Sequence, residues 1–188
     1  MANKETVSVT AAQYKEIIDT MRSGGAGFRP NNRIATILIL QANLGLRIQD
    51  ILDLHLSDIV KDGSHYRLDI VEDKSEKKRT FLVPLEIYQF IRLYCQDNVI
   101  GKNDIIFPIT VRAVEKYLDK VAKYLGMEKI GTHSFRKFYA SSIYEDNNHD
   151  IELVRELLQH SSTVTTQRYI KRSSRQVEDA IRKHIYIV

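Results

Sequence analysis

Six side chains, spread along the chain, could together perform phosphodiester chemistry without a metal ion. They are Arg47, Lys74, His133, Arg136, His160 and Tyr169. Guanidinium groups neutralise phosphate oxygens, lysine and histidine side chains transfer protons, and a phenol oxygen can attack phosphorus. None of these residues is informative alone, so the prediction depends on the local setting of each one.

Arg47 lies two residues after a glycine, at the junction of two predicted helices. Its segment, GLRIQDILDL, is rich in apolar residues that would pack this junction and fix its geometry. A guanidinium held there can present its planar fork to two phosphate oxygens. The alternative is a surface arginine, or one that pairs with Asp50.

His133 and Arg136 are three residues apart in the segment THSFRKF. A helix places residues at this spacing on one face. Thr132 is the predicted N-cap, which puts His133 in the first turn, where free backbone N–H groups favour an anion. Both side chains could then converge on one phosphate.

His160 and Tyr169 belong to the segment LLQHSSTVTTQRYI and are nine residues apart. The phenol of Tyr169 is the candidate nucleophile of the chain. The alternative for this residue is a packed tyrosine whose hydroxyl is hydrogen-bonded.

Lys74 lies in the polar connection DKSEKK of a predicted β-hairpin. Tyr66, Leu68 and Ile70 alternate with charged residues, which is the period of a strand, and RTFLV is the predicted return strand. An ammonium at a hairpin tip can reach a leaving oxygen and protonate it. Lys77 shares the loop and is the alternative.

Helical patterns account for most of the remaining chain. Helices are predicted after the N-cap Thr10, over 31–45, 48–54, 87–95, 110–126, 132–145, 150–159 and 173–184, with a helical turn at 163–169. The predicted fold class is therefore mainly α with a small antiparallel β-sheet of two strands. Cys95 lies on an apolar helical stripe and is predicted to be a core residue.

Composition limits the classes of protein to which the chain can belong. Its 188 residues are 43% hydrophobic, which is typical of a globular domain. The formal net charge of +4 and the pI of about 9.1 favour a polyanionic partner. A single cysteine, no signal-peptide pattern and no long apolar segment predict a cytoplasmic protein that does not enter the membrane.

Cofactor chemistry is not predicted. The six histidines are not paired at zinc-ligand spacing, and no phosphate loop of the GxxxxGK[ST] type occurs. Neither a metal nor a cofactor is therefore expected.

The motifs resemble those of the catalytic domain of the tyrosine recombinases, the phage integrase family, from about Val9 to the C-terminus. In that family an arginine follows the glycine, a lysine precedes a strand that ends in Val-Pro, and a helix carries His-x-x-Arg. The last motif reads roughly Leu-Leu-Gly-His-Ser-Ser, then Thr-Thr and the tyrosine. Here Gln159 replaces the usual glycine, and Ser75 and Glu76 replace the Thr and Gly of the hairpin turn.

This resemblance implies site-specific cleavage and rejoining of DNA strands through a 3′-phosphotyrosyl intermediate. It implies a phosphate clamp, a hairpin lysine that protonates the leaving oxygen, two histidines that act as base and hydrogen-bond donor, and a tyrosine nucleophile. The clamp would consist of Arg47 and Arg136, with Asp50 in support, and Lys74 would be the hairpin lysine. The two histidines would be His133 and His160, and the nucleophile would be Tyr169.

The resemblance also implies the partners. These are double-stranded DNA and further copies of the chain, as a homo-tetramer on paired sites; a monomer free in solution stays open. Most members carry an N-terminal DNA-clamping domain, to which nothing in this chain corresponds. The chain is then expected to be either an excised catalytic domain or a naturally short protein. Residues 1–9 are expected to be a tail and residues 10–188 the catalytic domain. The apolar end, Ile185–Val188, can pack on its own domain or dock on a neighbouring protomer, and the resemblance favours docking on a neighbour when the chain is bound to DNA.

Two alternative functions share these motifs. One is a non-catalytic DNA-binding regulator on a recombinase scaffold. The loss of a key catalytic side chain would distinguish such a protein from an active recombinase. The other is a DNA-relaxing enzyme similar to type IB topoisomerases, which uses the same nucleophile and clamp.

Overall fold

The computed structural model describes residues 6–71, 78–160, 162–167 and 169–170. The α-helices of this part of the chain are α1 Ala11–Ser23, α2 Asn32–Leu44, α3 Ile48–Leu52, α4 Leu85–Asp97, α5 Val111–Tyr124, α6 Thr132–Asp146, α7 Ile151–Leu158 and α8 Thr163–Gln167. The strands are β1 Ile59–Asp62, β2 His65–Val71 and β3 Lys78–Val83. The predicted class, mainly α with a small antiparallel sheet, is confirmed.

The chain divides into two compact units. The first unit is Met1–Tyr139 and the second is Ala140–Val188. The division between them falls within α6, so His133 and Arg136 belong to the first unit, and His160 and Tyr169 to the second.

Helices α1 and α2 form because their ends are capped and their apolar residues recur at helical spacing. The hydroxyl of Thr10 accepts from the backbone N–H of Gln13, and the Gln13 side chain accepts in return from the N–H of Thr10. Asn31 caps α2 through its side chain, and Gly45 ends that helix in the left-handed conformation at φ +60°. Helix α2 is buried on nearly all sides, so it forms the centre of the first unit.

The sheet has three strands rather than the predicted two. Its order is β1-β2-β3 with both pairs antiparallel, and Ile59 pairs with Leu68 while Tyr66 pairs with Val83. Ile59, Leu68 and Val83 are buried in the core of the first unit. The missed strand, β1, has only four residues, too few for a clear alternation of apolar and polar side chains.

In the second unit α7 packs against α8. Asp150 caps α7 by accepting from the backbone N–H groups of Glu152 and Leu153. Val154 and Leu158 are its buried residues, four positions apart on one face.

The predicted helices agree with the observed ones to within a few residues wherever they can be compared. Helix α6 begins at residue 132, as predicted, but Thr132 is its first helical residue rather than its cap. Lys74, Lys77, the predicted helix 173–184 and Ile185–Val188 lie outside the described residues. In the described part of the chain, no helix has both the length and the apolar character that a membrane span requires.

Candidate active site

Among the predicted site residues that the structure describes, Arg136 is the most buried. Its side chain is only 1% exposed, although α6 carries it close to a helix end. Its Nη1 donates a hydrogen bond to the backbone carbonyl of Gly45, 91 residues away in sequence. A buried guanidinium is costly unless its donors are satisfied. The bond to Gly45 satisfies one of these donors and orients the group.

The segment that receives this bond, residues 45–47, connects α2 to α3 and is called the 45–47 junction here. The next carbonyl along it, that of Leu46, accepts from Nε2 of the buried Gln41 at 3.4 Å. Two consecutive carbonyls of the junction are therefore held by buried side chains. The side chain of Arg47, the last residue of the junction, therefore extends from a backbone that these bonds hold in place.

Asp50 fixes the other side of Arg47. Its carboxylate accepts from the backbone N–H of Arg47, with Oδ2 and N 3.3 Å apart, and Asp50 itself is 5% exposed. This bond satisfies a free N–H at the start of α3, where a negative charge is also favoured by the helix dipole. Arg47 is half-buried, so part of its side chain faces solvent.

The ring of Tyr139 packs against Gly45 of the junction. The sequence alone did not indicate this residue. A Cβ atom built on Gly45 would lie 2.4 Å from Cδ1 and 2.5 Å from Cε1 of the Tyr139 ring. The position therefore requires glycine for the space as well as for its positive φ. The signal that could have revealed Tyr139 is its spacing, because it follows Arg136 by three residues and so shares its face of α6.

His133 lies in the first turn of α6, as predicted, and is exposed. The start of this helix is closed by two bonds between Gly131 and Ser134. The backbone N–H of Ser134 donates to the carbonyl of Gly131, and the N–H of Gly131 donates to Oγ of Ser134 at 3.1 Å. Ser134, the third residue of the helix, thus supplies the reciprocal half of a capping box, a contact different from the N-cap bond predicted for Thr132.

His160 and Tyr169 lie together in the second unit. Their ring centroids are 4.9 Å apart, with the planes tilted by 60°. His160 is 8% exposed, and its Nδ1 lies 3.1 Å from Oγ1 of the buried Thr166. The imidazole is therefore held in a defined orientation beside the half-buried phenol ring.

The backbone of Tyr169 is held at both its polar groups. Its N–H donates to the carbonyl of Thr166 at 2.8 Å, and its carbonyl accepts from Oγ of Ser141 at 3.4 Å. Ser141 was not predicted to have a role at the site. It lies one helical turn beyond the His-x-x-Arg motif on α6, and its short side chain suits a bond to a backbone carbonyl.

Gln159, which replaces the usual glycine, adopts the conformation that glycine normally takes. It ends α7 with φ 51° and ψ 40°, in the left-handed region. The next N–H, of His160, donates to the carbonyl of Arg155, which closes the helix end in the manner of a Schellman motif. The substitution therefore keeps the backbone geometry before His160.

The described residues bring together the predicted site residues in two groups. One is Arg136 with the 45–47 junction in the first unit, and the other is His160 with Tyr169 in the second. Within the ranges that the structure covers, no cluster of three or more His, Cys, Asp or Glu side chains could hold a metal ion.

Comparison with known proteins identifies the relatives of the chain. A sequence model of the phage integrase family matches residues 8–176. The probable integrase/recombinase YoeC of Bacillus subtilis is 34% identical over 147 residues, which cover 74% of this chain and 78% of YoeC. Tyrosine recombinase XerC of Caldanaerobacter subterraneus is 27% identical over 159 residues, covering 79% of this chain and 44% of that protein. The chain thus spans about half the length of the XerC relatives that it matches.

Solved structures show the same fold. The site-specific recombinase XerH, in a post-cleavage complex with a palindromic difH substrate, matches 96% of this chain and 53% of its own with a TM-score of 0.75 at 19% sequence identity. The family match covers the positions of both arginines, both histidines and the tyrosine. Its extent, joined to the identity with YoeC, shows that this chain belongs to the phage integrase family, the tyrosine recombinases.

Proposed function

We propose that this chain is a tyrosine-type site-specific DNA recombinase, an integrase that cleaves and rejoins strands through a 3′-phosphotyrosyl intermediate. The observation that carries the proposal is the buried Arg136, whose guanidinium is bonded to the 45–47 junction that also carries Arg47. A protein that fixes guanidinium groups in this way is suited to bind a phosphate whose charge increases during the reaction.

The arginines would stabilise the pentacoordinate phosphorane. Attack on a phosphodiester develops a second negative charge on the non-bridging oxygens, and donors that are already in place lower its energy. Arg47 and Arg136 supply two such guanidiniums. Asp50 supports Arg47 through its backbone, as the hydrogen bond at the start of α3 suggests.

Tyr169 would be the nucleophile. Its phenol oxygen forms a bond to phosphorus while the bond from phosphorus to the 5′ oxygen breaks. The phenol must lose its proton as it attacks, and the exposed His133 is the candidate base. His160, held beside the Tyr169 ring, is the candidate donor to a non-bridging oxygen.

Lys74 would protonate the departing 5′ oxygen, and Lys77 is the alternative for this role. The 3′-phosphotyrosyl bond retains the energy of the original phosphodiester. A 5′-hydroxyl of another strand can therefore attack it, release Tyr169 and complete strand exchange without an external energy source or a metal.

The partners belong to the same proposal. Double-stranded DNA would be the substrate, residues 10–188 the catalytic domain, and a homo-tetramer on paired sites the active assembly in the cytoplasm. The XerH complex with a difH substrate supports DNA as the partner, because the fold is shared. The net charge of +4 agrees with a polyanionic ligand.

The direct test is a covalent-trapping experiment. The protein is incubated with nicked duplexes that carry a randomised central sequence. Because of the nick, the fragment released by cleavage diffuses away and religation fails. We expect a protein–DNA adduct that survives denaturing gels and whose DNA shows a preferred sequence. The adduct should form in the presence of EDTA.

Other outcomes separate the alternatives. Binding to DNA without an adduct would indicate a non-catalytic regulator. An adduct without sequence preference, together with relaxation of supercoiled DNA, would indicate the topoisomerase-like activity. Cleavage that EDTA abolishes and magnesium restores would indicate a metal-dependent nuclease instead.

A further inference from the structure

The bond between His160 and Thr166 has a role that the reaction scheme above does not assign. Thr166 is 0% exposed, and its Oγ1 lies 3.1 Å from Nδ1 of His160. The two residues are six positions apart, and the contact joins the segment that follows α7 to the last turn of α8. Both groups are shielded from water, so each must find its hydrogen-bond partner within the protein.

The direction of this bond follows from the hydroxyl proton. A threonine hydroxyl has one proton to donate, and leaving a buried donor without an acceptor is unfavourable. Within the described ranges, Nδ1 of His160 is the partner found for this hydroxyl. If Nδ1 carried a proton, Oγ1 would only accept and its own proton would be left unpaired. Both groups are satisfied when the hydroxyl donates and Nδ1 accepts.

We propose that Thr166 is a positioning residue that keeps the proton of the neutral His160 ring on Nε2. The position of one ring proton is set by the bond that the other nitrogen makes. The Nε2–H group is then a donor, which is the state that hydrogen bonding to a phosphate oxygen requires. This last step rests on the proposed function, whereas the position of the proton does not.

Thr166 also fixes the candidate nucleophile. Its carbonyl accepts the backbone N–H of Tyr169 at 2.8 Å, while its hydroxyl holds His160. Thr166 therefore fixes the orientation of the His160 imidazole and also the backbone position of Tyr169, which carries the phenol. The ring centroids of His160 and Tyr169 are 4.9 Å apart, so a small rotation of either ring changes their contact.

The test compares Thr166→Val, which replaces the hydroxyl by a methyl group of similar size, with Thr166→Ser, which keeps the hydroxyl. Thr165→Val is the matched control, because it removes a neighbouring hydroxyl whose contact is with Ser162 instead. The readout is the pair of imidazole ¹⁵N chemical shifts of His160, recorded without DNA at about pH 8, above the ordinary range of histidine titration. Melting temperatures show whether each variant folds.

In the wild-type protein we expect Nε2 to be protonated and Nδ1 to show the shift of an acceptor. Thr166→Val should move both shifts, and Thr166→Ser and Thr165→Val should keep them. Adduct formation should fall on the order of tenfold in Thr166→Val, the size of one lost hydrogen bond, and recover in Thr166→Ser.

Two results would overturn the proposal. One is a wild-type ring protonated on Nδ1, and the other is a Thr166→Val spectrum with both ring shifts unchanged. If the wild-type protein forms no adduct while the shifts behave as expected, the recombinase proposal fails and the role of Thr166 in holding the proton stands.

Discussion

The two units hold their reactive side chains by different kinds of contact. In the first unit, Arg136 is bonded to a carbonyl 91 residues away and is buried with the core helices. In the second unit the contacts are local. Thr166 lies in the short helix α8, its hydroxyl is bonded to His160, and its carbonyl accepts from the backbone N–H of Tyr169.

This difference suits the two chemical tasks that the proposed function gives to these residues. Fixed positive charge is most effective when the protein does not have to reorganise during the reaction, which long-range packing ensures. A nucleophile must approach, bond to phosphorus and later leave it. Local contacts can be broken at a low free energy without opening the core. Variants in the two units should therefore affect activity and stability in different proportions.

The largest expected effect is in the second unit. Tyr169→Phe removes the attacking oxygen and keeps the ring beside His160. We expect no detectable covalent adduct on nicked DNA, with DNA binding and melting temperature close to wild type. A variant that still forms the adduct would show that Tyr169 is not the nucleophile.

Arg136→Lys should reduce activity and stability together. Lysine keeps the charge but loses the planar fork and the fixed bond to Gly45. We expect cleavage to fall by about a hundredfold or more, the size seen when one transition-state donor is lost. Because the site is buried, the free energy of unfolding should fall by about 1–3 kcal/mol. The trapping assay measures cleavage, and denaturant titration measures the free energy of unfolding. A loss of activity without any loss of stability would contradict the idea that the first unit holds Arg136 through its core packing.

Gly45→Ala tests the packing that fixes the 45–47 junction. The added methyl would lie 2.4 Å from the Tyr139 ring at a residue with φ +60°. Left-handed backbone costs alanine about 1–2 kcal/mol, and overpacking adds about 1–3 kcal/mol. Gly63→Ala is the matched control, because Gly63 has the same φ of +60° but nothing within 4 Å of its built Cβ.

The difference between these two glycine variants isolates the contact with Tyr139. We expect Gly45→Ala to lose the more stability in a denaturant titration and also to lose activity. Equal losses in the two variants would show that the ring yields and that the junction is held by its hydrogen bonds alone.

Gln159→Gly should give the smallest effect, and with the opposite sign. Gln159 has a left-handed backbone at φ 51°, which glycine adopts without strain. Within the described residues, its buried Oε1 also has no hydrogen-bond partner. We expect a gain in unfolding free energy of up to about 1 kcal/mol. A loss of stability on thermal unfolding would mean that the glutamine side chain contributes packing that glycine cannot replace.

The sequence predicted those features that depend on neighbouring residues. The Thr10 cap, the buried helix that ends at Gly45 and the segment between His160 and Tyr169 all appear as local patterns. The supporting residues Gln41 and Tyr139 did not, because their role exists only through contacts with the 45–47 junction. Tyr139 reaches it from a helix that begins far along the chain, and no local pattern records such a contact.

The site residues themselves stay a prediction in their catalytic roles, including Lys74. Geometry explains why sequence could suggest them. Those that lie in the described ranges occur at a helix end, a turn or a one-turn spacing, where residue type and backbone conformation are linked. Strand β1 and the cap of α6 differed from expectation, because a four-residue strand and a single cap position give only a weak sequence pattern.

The bond from Arg136 to Gly45 also bears on the order in which the protein assembles. Closing a loop of 91 residues costs about 4 kcal/mol of chain entropy by the logarithmic rule, so this contact forms after the local helices do. A ribosome that has released only α1 to α5 has made the acceptor of that bond but not its donor. If the two arginines act together as proposed, the pair is complete only when α6 has been synthesised and Arg136 has bonded to Gly45.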